Sequence, residues 1–494
     1  MELAPSRYNI PIPLLDGGSL IYNSAYQSFT RLTAEENRWI SGLADGTQSE
    51  LPEQFIEDAR KQGLLVAKDF DELAALKRHY DAHRFNEAEM VLTVAPTMAC
   101  NFGCDYCFQG QDKAKETMSM AVQDALVDYV ERECEKGVKS IGIAWYGGEP
   151  LLRLNVIEAL SDRLMAVADQ NNVKYHGMCV TNAFKLDLKA AKLLHSKKVN
   201  WIQVTLDGTP EYHDTRRYLL GGGGSFDRII GNLQSIVDEV PISFVIRVNI
   251  DSRNQRDIKK LIDFMAEAGL GHRSNLAMYF APVEAMTEGC HSVSDVTMTK
   301  GMYGALEADL WQYGYRAGLC TLPNPPRFHG VCGAIKPQGL VVVPTGDIHK
   351  CWDTVSWPEK RAGTIFDIEQ FKSSEIHQTW MKWTPFENNS CRNCKILPNC
   401  SGACAFKFVY PDETRGEAAT LPCPSWKYNI KERLLWKAVA LGKVKPEEYD
   451  PKAVATVPSE LCTDDAVTGG KDLPASIAAH YEKQKRYLPV VRGS

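Results

Sequence analysis

Three cysteines could carry a chemistry that few other residue types support. Cys100, Cys104 and Cys107 follow one another with the spacing CxxxCxxC. Thiolates gathered on one short loop bind soft metals, and a [4Fe-4S] cluster normally takes four of them. Three cysteines would leave one iron open to an external ligand, whereas a structural zinc site closes with four protein ligands. Zinc, or three cysteines of the core, is the alternative interpretation.

The elements around these cysteines predict an α/β fold. An apolar run at residues 91–96 reads as a buried strand, so the cysteines lie on the loop at its C-terminal end. Further strands are predicted at residues 140–146, 175–180, 201–206, 243–250 and 275–280, and helices at 118–136, 153–170, 186–197, 226–238 and 254–268. Six such units predict a partial (β/α)6 TIM barrel over residues 89–318, with its chemistry at the C-terminal ends of the strands.

The second predicted strand runs into Gly147, Gly148, Glu149 and Pro150. The two glycines allow the backbone to approach a ligand closely, and the carboxylate of Glu149 offers an acceptor to a cationic group. Taken alone, these four residues could equally form a turn.

The CxxxCxxC and Gly-Gly-Glu-Pro motifs together resemble those of radical S-adenosylmethionine (SAM) enzymes. The resemblance implies that the amino and carboxylate groups of SAM occupy the open iron, and that the Gly147 to Pro150 motif holds the amino group. It also implies that residues at strand ends contact SAM or the substrate, and that a tyrosine between the cysteines packs near adenine. These candidates are Tyr106, Thr181, Asn182, Thr205 and Arg217. A loop salt bridge would explain Arg217 equally well.

Seven later cysteines resemble a SPASM domain, the auxiliary-cluster module of peptide-modifying radical SAM enzymes. The resemblance assigns one auxiliary iron-sulfur cluster, of the [4Fe-4S] type, to Cys332, Cys351 and Cys404, and a second to Cys391, Cys394, Cys400 and Cys423. Cys320 is the candidate for the fourth ligand of the first cluster, which could instead stay open. A zinc ribbon is the alternative, although its usual spacing does not fit.

Four further cysteines lie outside these motifs, and one carboxylate lies close to them. Cys134 is predicted in the core, and Cys179, Cys290 and Cys462 have no motif. Asp353 follows Cys351 by two residues. Sulfatase-maturing relatives carry an aspartate directly after the corresponding cysteine, so the resemblance makes Asp353 a candidate catalytic base. A surface carboxylate is the alternative.

The first 88 residues predict a winged-helix-like module. Strands are expected at residues 19–22 and 63–67, and helices at 34–43, 51–61 and 69–84. Nine Lys or Arg face fourteen Asp or Glu here, a net charge of −5, which argues against DNA binding. The order of elements resembles the recognition element of peptide-modifying enzymes, where a leader peptide adds as a strand to a sheet edge. A purely structural cap is the alternative.

Composition restricts the class of protein. The net charge of −6 over 494 residues argues against a general nucleic-acid or anionic-membrane binder. No apolar run reaches the length of a membrane span and the N-terminus lacks a signal peptide, so a cytoplasmic location is expected. Fifteen cysteines, an odd number concentrated in two regions, then indicate metal rather than disulfides. Residues 319–440 are expected to form the SPASM domain, and 441–494 a surface tail with a helix at 475–485.

The resemblance to radical SAM/SPASM peptide maturases implies a function. A reduced cluster would cleave SAM, and the 5′-deoxyadenosyl radical would take hydrogen from a ribosomally made precursor peptide that carries a leader. The auxiliary clusters would accept an electron as a thioether or carbon-carbon crosslink forms, with a flavodoxin- or ferredoxin-type protein as donor. Two alternatives are an anaerobic sulfatase-maturing, formylglycine-forming enzyme and a non-catalytic binding protein built from a winged helix and a zinc ribbon.

Overall fold

A computed structural model describes residues 2–48, 50–326, 332–415 and 423–462. Its N-terminal part contains a three-stranded antiparallel sheet in the order β2-β3-β4 and a separate antiparallel pair, β1-β5. Its elements are β1 Leu3–Pro5, β2 Asn9–Pro13, β3 Ser19–Asn23, β4 Ser28–Leu32, α1 Ala34–Asp45, α2 Glu53–Lys61, β5 Leu65–Ala67 and α3 Glu72–Arg84. The predicted strands and helices of this part are all present, and β1, β2 and β4 are additional.

A nine-stranded sheet forms the centre of the molecule, in the order β11-β10-β9-β8-β7-β6-β12-β13-β14. Its first six strands in sequence are all parallel, which confirms the predicted α/β class and parallel sheet. They are β6 Glu89–Val94, β7 Ser140–Trp145, β8 Lys174–Thr181, β9 Val199–Thr205, β10 Ser243–Ile250 and β11 Leu276–Pro282. Each brings alternate apolar side chains into one core, including Leu92, Ile143 and Ile202.

Seven helices accompany these strands. They are α4 Met120–Glu135, α5 Leu154–Gln170, α6 Leu188–Ser196, α7 Pro210–Arg216, α8 Phe226–Ile236, α9 Ile258–Glu267 and α10 Lys300–Arg316. Side-chain caps fix where several begin: Ser119 accepts from the N–H of Val122, and Asp187 accepts from that of Ala190. The short helix α7 was not predicted from the sequence. It follows β9 and lies at the same end of the sheet as the cysteine loop.

The C-terminal part joins the barrel through its sheet. Strand β12 pairs in parallel with β6, and β13 and β14 continue the sheet in antiparallel fashion. Its elements are β12 Gly339–Val342, β13 Asp347–His349, β14 Gly363–Thr364, α11 Ile368–Ser373, α12 Glu375–Lys382, α13 Asn389–Arg392, α14 Leu397–Cys400, α15 Phe406–Val409, α16 Trp426–Ala440 and α17 Pro458–Leu461. The sheet is therefore shared by the two regions that the sequence predicted to be separate domains.

The N-terminal sheet packs onto this C-terminal part. Ile10 and Ile12 of β2 share an apolar cluster with Ile430 and Leu434 of α16. The same cluster includes Leu461, so the chain after residue 441 returns to the core as far as residue 462. The predicted helix at 475–485 lies outside the described residues. In the part of the chain that the structure describes, no helix combines the length and apolar character needed to cross a membrane.

Candidate active site

The C-terminal ends of the parallel strands bring the predicted site residues to one edge of the sheet. The cysteine loop follows β6, and the Gly147 to Pro150 motif follows β7. Thr181 ends β8, and Thr205 ends β9. Strands pair in the order β6-β7-β8-β9, so these four ends are neighbours in space as well as in the sheet. The edge that a parallel barrel normally uses for chemistry is thus the edge where the motifs meet.

Cys100, Cys104 and Cys107 lie close enough for each thiol to act electrostatically on the others. Burial raises the pKa of Cys104 to about 11, partly offset by the cation of Arg217. Lys113 is the second nearby cation: burial alone would lower its pKa, but the three thiols raise it. A loop of three thiols beside two cations suits an anionic iron-sulfur cluster, because the cations offset the charge that the thiolates bring.

The two glycines of the motif serve the cysteine loop directly. The N–H of Gly148 donates to the carbonyl of Thr97 at 3.1 Å, and that of Glu149 donates to Ala99 at 2.8 Å. A Cβ on Gly148 would lie 2.2 Å from the carbonyl oxygens of Met98 and Ala99. A side chain at this position would therefore push the two segments apart. The close approach that the sequence predicted toward a ligand is, in the structure, an approach to the loop that carries the cysteines.

Glu149 is buried at 1% exposure, and its carboxylate joins the ends of β7 and β8. Its carboxylate accepts from the hydroxyl of Thr181 at 2.6 Å, the N–H of Asn182 at 2.7 Å and the N–H of Leu151 at 3.1 Å. Burial raises the pKa of this carboxyl, and the three donors oppose that rise. Pro150 then begins a short 3-10 helix, Pro150–Arg153. Contact of Glu149 with a cationic ligand stays a prediction, since the donors seen here belong to the protein.

Asn182 completes the link from β8 to the cysteine loop. Its side-chain amide donates to Asn101, the residue after the first cysteine, at 2.8 Å. Thr205 is also buried, at 8% exposure, at the end of the neighbouring strand β9. The structure thus brings Thr181, Asn182 and Thr205 to the predicted edge.

Tyr106 is the centre of a polar network that the sequence did not predict. Its hydroxyl donates to the carboxylate of Asp207 and accepts from Arg217 at 2.7 Å and from Asn249 at 3.2 Å. Burial raises the pKa of Tyr106 well above its ordinary value. Arg217, a candidate contact of SAM or the substrate, thus donates to the Tyr106 hydroxyl, and its guanidinium lies 5.5 Å from the ring centre of Phe102.

Asp207 was not among the site residues predicted from the sequence. It is fully buried, its carboxylate also accepts from the N–H of Asn249 at 3.0 Å, and its own N–H donates to Nδ1 of His213 at 3.2 Å. Burial lowers the pKa of His213 to about 3, so this imidazole is neutral. An Asp followed by Gly at a strand end was the available signal, but nothing in the sequence pairs it with Tyr106.

The cysteines of the first predicted auxiliary set lie near enough to interact electrostatically. The thiols of Cys332 and Cys404 and the carboxylate of Asp353 all act on Cys351, and together with burial they raise its pKa well above normal. Oδ2 of Asp353 lies 3.6 Å from the sulfur of Cys351. Burial also raises the pKa of Asp353 to about 6. Asp353 is half-buried, and its carboxylate interacts electrostatically with Glu284, Arg247 and Lys407.

Cys320 is not brought to this set. Its thiol donates to the carbonyl of Met278 at 3.5 Å, and the side chain belongs to the barrel core, packed on Gly314. Cys351 and Cys404 instead border a different apolar cluster. The structure therefore gives Cys320 a core position, because the turn after α10 folds it back against β11. Its role as a fourth ligand has no support in these contacts.

The second auxiliary set surrounds a cavity of about 140 Å³. The wall contains all four predicted cysteines: Cys391, Cys394, Cys400 and Cys423. Cys462, which the sequence gave no role, forms an antiparallel bridge with Cys394, and the two side chains are hydrogen-bonded. Its thiol also donates to the carbonyl of Ser390 at 3.1 Å. The structure thus places a fifth cysteine beside the set.

Comparison with known proteins identifies the barrel. Residues 94–265 match the family model described as "Radical SAM superfamily". The chain contains a radical SAM domain. The match confirms that the cysteine and Gly-Gly-Glu-Pro motifs are those of a radical SAM domain. It also confirms the cofactors of that domain, SAM and an iron-sulfur cluster.

Individual relatives of this radical SAM protein are distant. The "Radical SAM cyclopropyl synthase TigE" of Paramaledivibacter caminithermalis is 21% identical over 403 residues, covering 77% of this chain and 81% of that protein. The "Cysteine-type anaerobic sulfatase-maturating enzyme" of Clostridium novyi is 22% identical over 354 residues, covering 66% of this chain and 90% of that one. The solved structure "Native anSMEcpe with bound AdoMet and Kp18Cys peptide" has a TM-score of 0.54 at 19% identity, covering 72% of this chain and 98% of that chain. This likeness shows a shared fold.

Proposed function

We propose that this protein is a radical SAM enzyme that crosslinks a ribosomally made precursor peptide through a thioether or carbon-carbon bond. The observation that carries the proposal is the contact that Trp352, the residue after Cys351 of the first predicted auxiliary set, makes with the barrel and with the cysteine loop. Its ring lies 4.2 Å from that of Tyr146 on the barrel and 6.1 Å from that of Phe108 on the cysteine loop. In the proposed enzyme, the site of hydrogen abstraction would adjoin a site that accepts an electron.

The residues of the barrel hold and shield the cofactors. When bound, a [4Fe-4S] cluster supplies an electron to SAM, whose cleavage yields the 5′-deoxyadenosyl radical. Cys100, Cys104 and Cys107 would hold three irons, with Lys113 and Arg217 offsetting the negative charge. Hydrogen bonds of the Tyr106 hydroxyl tie the cysteine loop to the barrel, through Asp207, Asn249 and Arg217. The buried side chains of Phe102 and Trp145 exclude water from the loop.

Asp353 is proposed as the base that takes a proton from the substrate. It follows Cys351, a predicted ligand of the first auxiliary set, and its carboxylate interacts electrostatically with Arg247 and Tyr146 of the barrel. A substrate residue between the barrel and the first set would meet this carboxylate. Loss of a proton to Asp353 and of an electron to an auxiliary cluster would complete the oxidation that a crosslink requires.

The leader peptide is proposed to add to strand β4. In β2, the opposite edge, the register turns the backbone of residues 9, 11 and 13 outward, and two of these are prolines without an N–H. In β4 the same alternation leaves the N–H and carbonyl groups of Phe29 and Arg31 facing away from β3. β4 is thus the edge that can take another strand.

The first experiment measures deoxyadenosine and peptide mass with anaerobically reconstituted enzyme, dithionite and SAM. With the peptide encoded beside the gene, we expect deoxyadenosine and a loss of two hydrogens from the peptide. Cys104→Ala should abolish both. Cys134→Ala, which removes a buried thiol on α4 outside the cysteine sets, should abolish neither.

Three results would contradict the proposal. Unimpaired SAM cleavage by Cys104→Ala would remove the cluster assignment. Reaction with sulfatase-motif peptides alone would favour a formylglycine-forming enzyme. Stoichiometric zinc without acid-labile sulfide would favour a non-catalytic binding protein. A flavodoxin- or ferredoxin-type protein is the proposed physiological donor, to be tested in place of dithionite.

A further inference from the structure

Lys427 is a buried cation at the wall of the second auxiliary set. It lies in the first turn of α16, its side chain borders the cavity, and only 1% of the residue is exposed. Its Nζ lies 3.6 Å from the sulfur of Cys423. The ammonium also acts electrostatically on Cys391, Cys394 and Cys400. One positive charge therefore reaches all four cysteines that line the cavity.

The partners of Lys427 distinguish it from the other buried cations of the same helix. Lys431 pairs with Glu460, and Arg433 pairs with Glu307. Among residues 2–48, 50–326, 332–415 and 423–462, no carboxylate lies within ion-pair distance of Lys427. A buried ammonium is costly unless a negative group compensates it. In the described part of the protein, that group can only come from the thiolates and what they bind.

We propose that Lys427 sets the reduction potential of an iron-sulfur cluster held by Cys391, Cys394, Cys400 and Cys423, and makes it the easier of the two auxiliary clusters to reduce. The inference rests on the proposed function. Four thiolates around a [4Fe-4S] core leave a net negative charge, and reduction adds another. A cation beside a ligand sulfur stabilises the more negative, reduced state, and so raises the potential.

The first auxiliary set has mixed surroundings: Lys350 and Lys407 act on Cys332 and Cys404, but Lys407 is paired with Glu284 and a carboxylate lies beside Cys351. The carboxylate of Asp353 lies 3.6 Å from Cys351, and the buried ammonium of Lys350 donates to two backbone carbonyls at 2.7 and 2.8 Å. A carboxylate beside a ligand disfavours reduction. The electron lost by the substrate, as its proton goes to Asp353, would therefore come to rest on the second cluster. That cluster would gain one electron and would pass it to the oxidised form of a flavodoxin- or ferredoxin-type protein, whose reduced form is the proposed donor.

The test is an anaerobic potentiometric titration of the whole enzyme, followed by electron paramagnetic resonance. The SAM cluster is recognised by the response of its signal to added SAM, and the second auxiliary cluster by the loss of its signal in Cys400→Ala. In Lys427→Met, we expect reduction of the second cluster to become about tenfold less favourable, which is about 59 mV for a one-electron couple. Lys427→Arg should retain the wild-type potential.

Lys437→Met is the matched control. It removes a positive charge from the same helix ten residues further on, roughly 15 Å along the axis. A potential in Lys427→Met that matches this control overturns the inference. If Lys427→Met and Lys427→Gln both fail to hold the cluster while Lys427→Arg holds it, the electrostatic role is supported. Failure of all three variants overturns it.

The iron content of the wild-type protein distinguishes failure of the inference about Lys427 from failure of the proposed function. Wild-type protein with about four irons has no auxiliary clusters, and the proposed function then fails first. Full iron content with an unshifted potential in Lys427→Met contradicts the role of Lys427 alone.

Discussion

Trp352 packs edge to face against Tyr146, with ring centroids 4.2 Å apart. Trp352 directly follows Cys351 of the first auxiliary set, and Tyr146 directly precedes the two glycines at the end of β7. Residues that are 206 positions apart in the chain are therefore in contact at the barrel mouth. A substrate held there would lie within reach of both the Gly147 to Pro150 motif and the first auxiliary set.

A methyl group on Gly148 should damage the SAM cluster. In Gly148→Ala, the new Cβ would meet the backbone oxygens of Met98 and Ala99 at 2.2 Å, and backbone atoms cannot rotate away. We expect iron at the cysteine loop and deoxyadenosine formation to fall at least tenfold. Gly231→Ala on helix α8, where a Cβ meets nothing within 4 Å, should change neither. Equal iron content in the two variants would contradict this explanation.

Asp353→Asn should uncouple SAM cleavage from product formation. The amide keeps the size of the side chain but cannot take a proton, and a general base typically contributes 10²- to 10⁴-fold. We expect the rate of crosslinking to fall at least about 100-fold while deoxyadenosine still forms, as measured by mass spectrometry. Asp347→Asn, which removes a carboxylate ion-paired with Arg361 at the surface, is the control. Crosslinking at the wild-type rate by Asp353→Asn would exclude Asp353 as the base.

Tyr106→Phe should destabilise the barrel mouth. The change removes the hydroxyl that joins Asp207, Arg217 and Asn249, and leaves buried polar groups without this partner. We expect a loss of roughly 1–3 kcal/mol in the free energy of unfolding, measured anaerobically with urea. Tyr218→Phe alters a tyrosine that is 41% exposed and should change stability little. Comparable effects in both variants would refute a structural role for the network.

His213 should make the protein less stable in mild acid. Its folded pKa of about 3 lies below the unfolded value of 6.5, so the unfolded state binds the proton first and stability falls as pH drops below about 6.5. Between pH 7 and pH 5.5 this loss is about 1 kcal/mol for one such group. In His213→Asn that part of the pH dependence should disappear, whereas exposed His176→Asn should retain it. An unchanged pH profile in His213→Asn would show that another group titrates.

Phe29→Pro should weaken binding of the precursor peptide. Proline removes an N–H that faces away from β3, so the hydrogen bonds between β3 and β4 stay intact. We expect at least a tenfold higher Kd for the leader by fluorescence anisotropy, with SAM cleavage in the absence of peptide unchanged. Phe29→Ala keeps the N–H and controls for the lost ring. Deleting residues 1–88 is a poorer test, because Ile10 and Ile12 cover α16 of the C-terminal part.

Local patterns predicted much of the barrel. The alternation of apolar strands and helices predicted β6 to β11. The contact of Cys462 with Cys394 could not be predicted in this way, because a bridge across 68 residues has no periodic signal. Strand β2 was missed because its sequence, Asn-Ile-Pro-Ile-Pro, contains prolines that normally argue against a strand. The Tyr106 network was also missed because its residues are far apart in the chain and share no periodic signal.

Strand β12 pairs with β6 from Gly339–Val91 to Val342–Val94, so the C-terminal part covers what would otherwise be an open border of the barrel. A shortened protein that ended after α10 would expose the backbone of β6, a mostly apolar strand of six residues. Unpaired strands of this kind recruit other chains. Production of the barrel alone should therefore give insoluble aggregates, and attempts to transplant it between enzymes need to carry β12 along.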